Sequence, residues 1–285
     1  MRTLVLILVL TAGAAWPVDA SAQTATPSPP AQAPSAPEDD PDMDFNALQP
    51  DFALINLPTT LRVPRHKGAF RITHRFGRPL GAGDFGDLAS DLFGFDNGAQ
   101  IGMEFRFGVM RGLQAGIVRT SDKTIEFFGQ RNLLQQGAGS PVGLGLMASI
   151  DGSDNFSEEF TPAIGLVLSR EMTSVGAVYV EPMWVGNVNI FEPVVTADDN
   201  TFLFGLGARL RVRPTVYLVG EFIPRLSGYD AGVNLGTFAI EKRAGGHSFQ
   251  LNFSNGTGTT IGQLARGGTA SDDWYIGFNI SRKFF

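Results

Sequence analysis

The 285-residue chain contains no cysteine and no long uninterrupted run of apolar residues. Without cysteine we expect neither a disulfide framework nor a thiolate metal site, and no lipid-modified N-terminus, which is built on that residue. A membrane-spanning helix needs about 18 or more consecutive apolar residues, and the sequence nowhere provides them. If the protein lies in a membrane, it does not cross the bilayer with helices.

A concentration of basic residues is also missing. The net charge is −6, but the acids that produce it all lie within the first 51 residues. The rest of the chain carries equal numbers of acidic and basic residues, and its Lys and Arg are dispersed along the sequence. Because nucleic-acid-binding surfaces depend on clustered basic residues, we expect no nucleic acid partner.

Residues 1–22 have the pattern of a secretory signal peptide. Arg2 precedes an apolar run from Leu4 to Leu10, and small residues follow up to Ala22. This order of charged, apolar and small residues predicts cleavage before Gln23. The protein is therefore expected to be exported.

Residues 23–57 begin with a stretch that is rich in Pro, Ala, Ser and Asp. Such a composition buries too little apolar surface to offset the entropy lost on ordering. We therefore expect a disordered periplasmic tail that acts as a spacer. Docking to a periplasmic partner is the alternative, although a Pro-rich composition by itself names no partner.

From Gly68 onward, large apolar residues alternate with polar residues or glycine. In residues 100–107, for example, Ile101, Met103 and Phe105 are separated by single small or polar residues. A period of two is the signal of a β-strand. Several of the segments reach the nine to eleven residues that a tilted strand needs to cross a bilayer. The segments lie near residues 69–76, 99–108, 113–120, 123–134, 142–150, 160–169, 175–185, 201–212, 215–223, 235–243, 247–254 and 273–284.

The connections between these segments are mostly short on one side and long on the other, as in outer-membrane barrels, whose short turns face the periplasm. The connection at Ser121-Asp122 departs from this rule, because it is short where a long loop is expected. The pattern predicts an all-β fold over residues 58–285. We expect a closed antiparallel transmembrane β-barrel of about 12 strands, in a range of roughly 10–14. It would lie in the bacterial outer membrane with both termini periplasmic.

The main alternative is a secreted soluble sandwich or barrel, which also alternates. Its apolar side chains would point inward, and its small interior has little use for the many glycines that lie opposite the apolar residues here. The eighth segment illustrates the facing expected in a membrane. Phe204, Leu206 and Leu210 should contact outer-membrane lipid, while Arg209 and Arg211 should point into the lumen.

Several motifs give the body of the chain a resemblance to a known family. They include Asn56-Leu57-Pro58-Thr59-Thr60, His74-Arg75-Phe76-Gly77, the stretches 92–99 and 113–121, and, near the end, residues 247–251 and 277–284. In these motifs the chain resembles a family of bacterial outer-membrane β-barrels known as domain of unknown function 5777. The resemblance implies the fold and the location, but no activity, because the family has none assigned.

The chain ends in Phe284-Phe285. A terminal aromatic resembles the signal that outer-membrane barrels present to their insertion machinery, which we therefore expect as a partner of the last strand. The apolar face of that strand runs from Trp274 to Phe284 and leaves Phe285 one residue out of step. Either Phe284 is the functional terminal aromatic, or the strand slips at Arg282.

Three short patterns are compatible with chemistry but are better explained by structure. Residues 81–86 have the glycine spacing of a dinucleotide loop without the strand and helix that flank one. His247 and Ser248 are neighbours on a strand and point to opposite faces, so they cannot form a lipase site. Residues 151–159 offer oxygen ligands without the spacing of a calcium loop. We expect no cofactor, no metal and no enzymatic activity.

Polar residues on the inward face are the candidates for function. They would either line a narrow polar channel or pair across the lumen and close it, because buried charges must be compensated. We expect a small passive pore. A structural or partner-anchoring barrel without conductance is the alternative, and a membrane lipase with a distant histidine partner is a remote one. The lumen-lining candidates are Gln100, Glu104, Arg106, Arg209, Arg211, Glu221, Asn279 and Lys283.

Overall fold

The computed structural model describes residues 47–92, 94, 98–137, 139–172, 175–190 and 198–285. The predicted signal peptide and residues 23–46 lie outside this range. The described chain is built from antiparallel strands with three short helices, α1 (Phe85–Ser90), α2 (Ser153–Phe156) and α3 (Ile261–Ala265). The strands are β1 (Gly68–Phe76), β2 (Ala99–Met110), β3 (Leu113–Thr120), β4 (Ile125–Leu134), β5 (Gly143–Gly152), β6 (Glu158–Met172), β7 (Gly176–Val185), β8 (Thr201–Arg213), β9 (Val216–Ile223), β10 (Arg225–Gly228), β11 (Leu235–Ala244), β12 (His247–Ser254) and β13 (Tyr275–Phe284).

The strands form one closed antiparallel barrel of twelve strands, which confirms the predicted fold class. β13 returns to pair with β1 in a continuous register from Gly68↔Phe284 to Arg75↔Gly277. β10 continues β9 beyond Pro224 and pairs with the start of β8, so it adds no further position around the barrel. The sequence pattern does not reveal β10, because four residues are too few to show a period of two. Closure leaves no unpaired sheet edge, as a barrel in hydrocarbon requires.

Buried and exposed side chains alternate along the strands. On β8, Leu203 and Arg209 are buried, whereas Leu206 and Leu210 are exposed. Exposed Leu, Ile, Phe, Val and Met side chains recur on the outer surface of every long strand after β1. A soluble barrel would bury these side chains instead. The outward apolar surface therefore contradicts the soluble alternative.

The two ends of the barrel differ in their connections. We call the end that holds Gly68, Phe284 and the connections β2–β3, β4–β5, β6–β7, β8–β9 and β11–β12 the turn end, and the opposite end the loop end. Turn-end connections are short except for residues 135–142, and the loop end carries the longer ones apart from the tight β3–β4 turn. Among the described residues, no helix is long and apolar enough to span a membrane.

Residues 47–57, which the sequence assigned to a disordered tail, lie buried inside the barrel. Phe52 is only 3% exposed, and Leu54 and Ile55 are completely buried. The expectation fails here because the Pro-rich composition ends before this stretch. Its apolar residues pack against the barrel wall, so they need no core of their own.

A second segment enters the barrel from the loop end. Residues 255–269, between β12 and β13, were expected to form an outer loop, but all five residues of α3 are buried. Thr260 caps this helix by accepting a hydrogen bond from the backbone N–H of Gln263, whose side chain in turn reaches back to the cap. The lumen is therefore filled by the chain itself from both ends.

Candidate functional site

The segment that fills the turn-end half of the lumen is a hairpin, residues 47–63, which we call the lumen hairpin. Its apex is the tight turn from Leu54 to Leu57, where the Leu54 N–H donates to the Leu57 carbonyl at 2.8 Å. Ala53 and Pro58 face each other as an antiparallel bridge just below the apex. Both limbs of the hairpin reach the turn end, where Ala47 bonds Tyr217 and Val63 bonds Gln114.

Glu221 on β9 holds the apex of the lumen hairpin. Its Oε1 accepts hydrogen bonds from the backbone N–H groups of Ile55, Asn56 and Leu57 at 2.7, 2.8 and 2.9 Å. Its Oε2 accepts from the Asn56 side chain at 3.1 Å. Successive N–H groups that converge on a carboxylate make an anion cradle with charge-assisted bonds. Glu221 is thus the anchor of the apex.

Side chains from other strands hold the hairpin by its carbonyl groups. These donors are guanidinium and amide groups, and they bond the backbone of the hairpin. Other wall residues bond its side chains, as Ser281 does with Asp51 at 2.6 Å and Arg75 with Asn56 at 2.9 Å. At the apex, Arg209 donates to Ala53 at 2.9 Å, Gln250 to Leu54 at 2.7 Å and Asn279 to Ile55 at 3.0 Å, and Arg71 also donates to Ile55. On the returning limb, Gln130 donates to Thr59 at 2.8 Å, Asn132 to Thr60 at 2.7 Å and Gln114 to Leu61 at 3.3 Å.

Arg209 links the hairpin to an ion pair in the barrel wall. The Arg209 Nη2 atom lies 2.9 Å from Glu241 Oε2, and both side chains are completely buried. Gln250 also donates to Glu241. Removing one partner of such a buried pair leaves an uncompensated charge, at a cost of about 3–5 kcal/mol.

Two inward glycines of β8 make room for leucines of the hairpin. A Cβ atom at Gly207 would lie 2.2 Å from Leu54 Cδ1, and one at Gly205 would lie 2.9 Å from Leu57 Cδ2. Leu54 and Leu57 are buried against this wall together with Tyr179 in one apolar cluster. The hairpin is therefore held by apolar contacts with β8 and its neighbours and by polar contacts around the rest of the lumen.

Three carboxyl groups hold the second segment, residues 255–269, which we call the loop plug. Each accepts a hydrogen bond from a residue at or near α3, so the plug is fixed to the wall at the β3–β4 turn, β4 and β5. Thr260 Oγ1 donates to Asp151 Oδ2 at 2.5 Å, the Ile261 N–H to Glu126 Oε1 at 3.3 Å and Gln263 Nε2 to Asp122 Oδ2 at 2.9 Å.

Asp122 lies in the β3–β4 turn, outside the membrane-spanning strands. Burial raises the pKa of Asp122, but hydrogen bonds from Thr120, Gln100 and Thr124 outweigh burial, so its pKa lies below the ordinary value of 3.8. The folded protein therefore favours the ionised form of Asp122. This form accepts the bond from the loop plug.

Cavities lie where the lumen hairpin and the loop plug end along the barrel axis. A cavity of about 540 Å³ at the turn end lies beside the hairpin and is lined by Gln49, Thr60 and Glu171, among others. A cavity of about 380 Å³ at the loop end is lined by Asp122 and Arg266, among others. Between the hairpin and the loop plug, only about 30 Å³ remains. The lumen thus has a vestibule at each end and a closed middle.

The structure places three of the predicted lumen residues, Arg209, Glu221 and Asn279, against the lumen hairpin. Two more, Arg106 and Lys283, lie over the ring of Phe52 in the hairpin, and the other three lie elsewhere in the lumen or at its ends. Glu104 and Arg106 pair with each other at 2.8 Å, and Arg106 lies 4.6 Å from the ring centroid of Phe128. Gln100 accepts a hydrogen bond from Ser121 at the loop end, and Arg211 is half-buried near the β8–β9 connection. At the turn end, the Lys283 amine lies 5.8 Å from the ring centroid of Phe52.

Sequence reasoning missed most of the residues that hold the hairpin. These residues are the polar members of the same alternating segments, as Gln250 is between Phe249 and Leu251. Their place in the alternation was the sequence feature that could have identified them. The hairpin itself carried a second signal, because its apex and returning limb contain the family motif of residues 56–60. The missed partners are Arg71, Arg75, Gln114, Gln130, Asn132 and Gln250.

The structure decides between the two alternatives for the end of the last strand, namely that Phe284 continues the outward face or that the strand slips at Arg282. The register with β1 runs through Arg282 without a slip, so Phe284 stays on the outer face, where it is 49% exposed. Phe285 packs with Phe52 of the hairpin and with Val63. The final residue of the chain therefore contacts the hairpin and not lipid.

The histidine–serine pair lies as expected on opposite faces. His247 hydrogen-bonds the guanidinium of Arg282 at 2.9 Å, while Ser248 is buried on the inner face. In the described part of the chain, no group of three or more His, Asp or Glu side chains is arranged to hold a metal ion.

A closed barrel with an apolar outer face and a polar, filled lumen is a membrane β-barrel. The chain belongs to the family described as "Membrane bound beta barrel domain (DUF5777)", whose model matches residues 51–284. This confirms the family indicated by the sequence motifs. The match begins within the lumen hairpin, so the hairpin is part of the family domain.

Solved structures of outer-membrane proteins are similar to this chain at low sequence identity. An outer membrane channel from Pseudomonas putida F1 is 12% identical, with a TM-score of 0.49, over 79% of this chain and 98% of that one. The NanC porin is 7% identical, with a TM-score of 0.48, over 77% and 99%. The Acinetobacter baumannii protein Omp33 is 11% identical, with a TM-score of 0.44, over 77% and 98%. No curated protein matches the chain in sequence.

Proposed function

We propose that this protein is a small passive pore of the bacterial outer membrane that is closed by its own lumen hairpin. The pore conducts when the hairpin is withdrawn through the turn end. The observation that carries the proposal is the way the hairpin is held, by polar side chains that bond its backbone. Once the hairpin leaves, water can bond the same side chains, so the emptied wall becomes the polar interior of an aqueous channel.

The apolar contacts of the hairpin with the barrel wall determine how often the closed pore opens spontaneously. Burial of Leu54, Ile55 and Leu57 stabilises the closed state by roughly 5–9 kcal/mol, at about 1.5–3 kcal/mol for each side chain. Such a difference makes spontaneous opening rare. Residues 23–46 directly precede the entering limb at Ala47, so a periplasmic partner that binds them would pull the hairpin toward the turn end.

A disulfide between the hairpin apex and β8 tests the gate. The protein contains no cysteine, so L54C together with G207C creates a unique pair where the Leu54 Cγ atom lies 3.7 Å from a Cβ built at Gly207. In planar bilayers we expect the oxidised double variant to show no openings and the reduced form to regain them. Each single cysteine variant is the matched control and should be insensitive to the oxidant. Openings that persist in the fully crosslinked protein would rule out the hairpin as the gate.

A complementary variant lacks residues 47–57 and should conduct continuously. The alternative function, a structural or anchoring barrel without conductance, is favoured by the loop plug, which occupies part of the lumen at the loop end beside a cavity of about 380 Å³. A deletion variant that folds, migrates as a heat-modifiable barrel and still passes no ions would reject the pore. The structural barrel would then stand.

A further inference from the structure

The turn end of the barrel carries an evenly distributed set of exposed basic side chains on its outer rim. Each turn-end hairpin contributes one of them, and the junction of β13 with β1 contributes another, so they surround the barrel. All six are exposed to the surroundings. We call this set the basic girdle; its members are Arg111, Arg131, Arg170, Arg213, Lys242 and Arg282.

The positive charge of the basic girdle is not neutralised by the protein. In the described ranges, the acids near the turn end point inward: Asp51 and Glu241 are buried, and Glu171 bonds Gln49 of the hairpin. The bonds that the girdle makes go to neutral groups. Arg131 donates to the Arg111 carbonyl at 3.0 Å, and Lys242 donates to the Thr215 hydroxyl at 2.5 Å. The girdle therefore presents its charge outward.

The loop end shows the opposite charge. Its exposed acids include Glu158, Glu159, Asp199 and Asp230, whereas the exposed Lys123 is paired with Asp154 at 3.2 Å. The body of the chain is neutral as a whole, so this separation along the axis comes from placement and not from composition.

The basic girdle directly borders the apolar belt that faces lipid. Val212 precedes Arg213 directly in the sequence and is 49% exposed, and Leu133 lies two residues after Arg131 and is 52% exposed. Phe284 lies two residues after Arg282 and is 49% exposed. Charged side chains that border the apolar belt of a membrane barrel are expected at the level of the lipid headgroups.

We infer that the basic girdle binds the headgroups of anionic phospholipids in the leaflet that surrounds the turn end. Arginine, which supplies five of the six members, presents a planar fork that matches phosphate oxygens. A single Lys or Arg near an anionic membrane surface strengthens association about fivefold. Several such contacts around one barrel give a selective shell of anionic lipid. This inference is independent of whether the lumen opens.

Lipid selectivity of the reconstituted full-length protein tests the inference. The readout is the association of spin-labelled phosphatidylglycerol relative to spin-labelled phosphatidylcholine at the barrel surface. For the native protein we expect a severalfold preference for phosphatidylglycerol that weakens in high salt, because exposed charges are screened. The variant R131Q/R170Q/R282Q should bring the ratio toward 1. Among the described residues, none of these three forms a hydrogen bond with the hairpin or the loop plug.

Two control variants show whether the effect depends on charge and on its location at the turn end. R131K/R170K/R282K preserves the charges and should retain most of the preference, which separates charge from any effect on folding. R119Q/K123Q removes two basic residues at the loop end and should leave the ratio unchanged. A native ratio near 1, a glutamine variant that keeps the full preference, or an equal loss in the loop-end control would each overturn the inference.

Discussion

Gly207 determines how closely the apex of the lumen hairpin approaches β8. Alanine there would place its Cβ 2.2 Å from the Leu54 side chain, which is completely buried. Overpacking of this kind costs about 1–3 kcal/mol. We expect G207A to raise the open probability of the channel roughly 5- to 150-fold, the range to which that cost corresponds.

The matched control for this prediction is G220A on β9. A Cβ at Gly220 would meet no atom within 4 Å. Single-channel recording of both variants compares the same chemical change in the lumen and on the outer face. Equal open probabilities in the two variants would show that contact between the hairpin and β8 does not control opening.

Asp122 gives the loop plug a dependence on pH. Because the pKa of Asp122 is lowered in the folded protein, its contribution to stability is present above its ordinary value of 3.8 and is lost as the pH falls through the lowered value. Protonation weakens the acceptor of the Gln263 bond. We expect the stability difference between the native protein and D122N to shrink below about pH 3.8, as measured by thermal unfolding in detergent. A difference that is constant from pH 3 to pH 7 would contradict this role.

At the scale of the strand, β8 divides its two faces between lipid and lumen. Leu206 is outward and exposed, so Arg at this position would lie in hydrocarbon near the middle of the strand. We expect L206R to destabilise the barrel by roughly 2–4 kcal/mol. The control is F160R on the outward face of β6 close to the loop end, where the same substitution should cost at most about 1 kcal/mol. Urea unfolding in lipid vesicles measures both, and equal costs would count against a bilayer around β8.

The hairpin is the element whose role differs most from what its composition suggests. It contains Ala, Leu, Pro and Thr in an order without strand or helix periodicity. Its partners come from eight strands, β1, β3, β4, β6, β8, β9, β12 and β13, and the Ile55–Glu221 bond joins residues 166 positions apart. No local pattern encodes such contacts, so composition alone assigned residues 47–57 to the tail.

At the scale of the whole molecule, the prediction concerns location. The signal-peptide pattern and the membrane-barrel family together lead us to expect the protein in the outer-membrane fraction of a bacterium with two membranes. An unheated sample should migrate differently from a boiled one on a gel, because a closed barrel resists detergent at room temperature. Recovery of the folded protein in the soluble periplasmic fraction would contradict this location.

The alternating pattern of the sequence was enough to predict about 12 barrel strands, their approximate bounds and the facing of residues such as those on the eighth strand. Each of these depends on a period of two within ten or so residues, so Phe204 and Arg209 could be assigned to opposite faces without knowledge of any distant contact. The last strand illustrates the same locality: its alternation predicted that Phe284 faces outward, and the register with β1 preserves that alternation.

The filling of the lumen could not be predicted from the alternating pattern and became visible in the folded chain. The inward polar residues were compatible with an open channel and with a closed one, because the same charges can be hydrated by water or paired by protein. The choice depends on closing the barrel, which brings Glu221, Arg209 and Asn279 around one axis and makes a space that residues 47–63 fit. Backbone groups of that hairpin then satisfy the buried charges, since a carboxylate or guanidinium enclosed without water must find a partner within the chain.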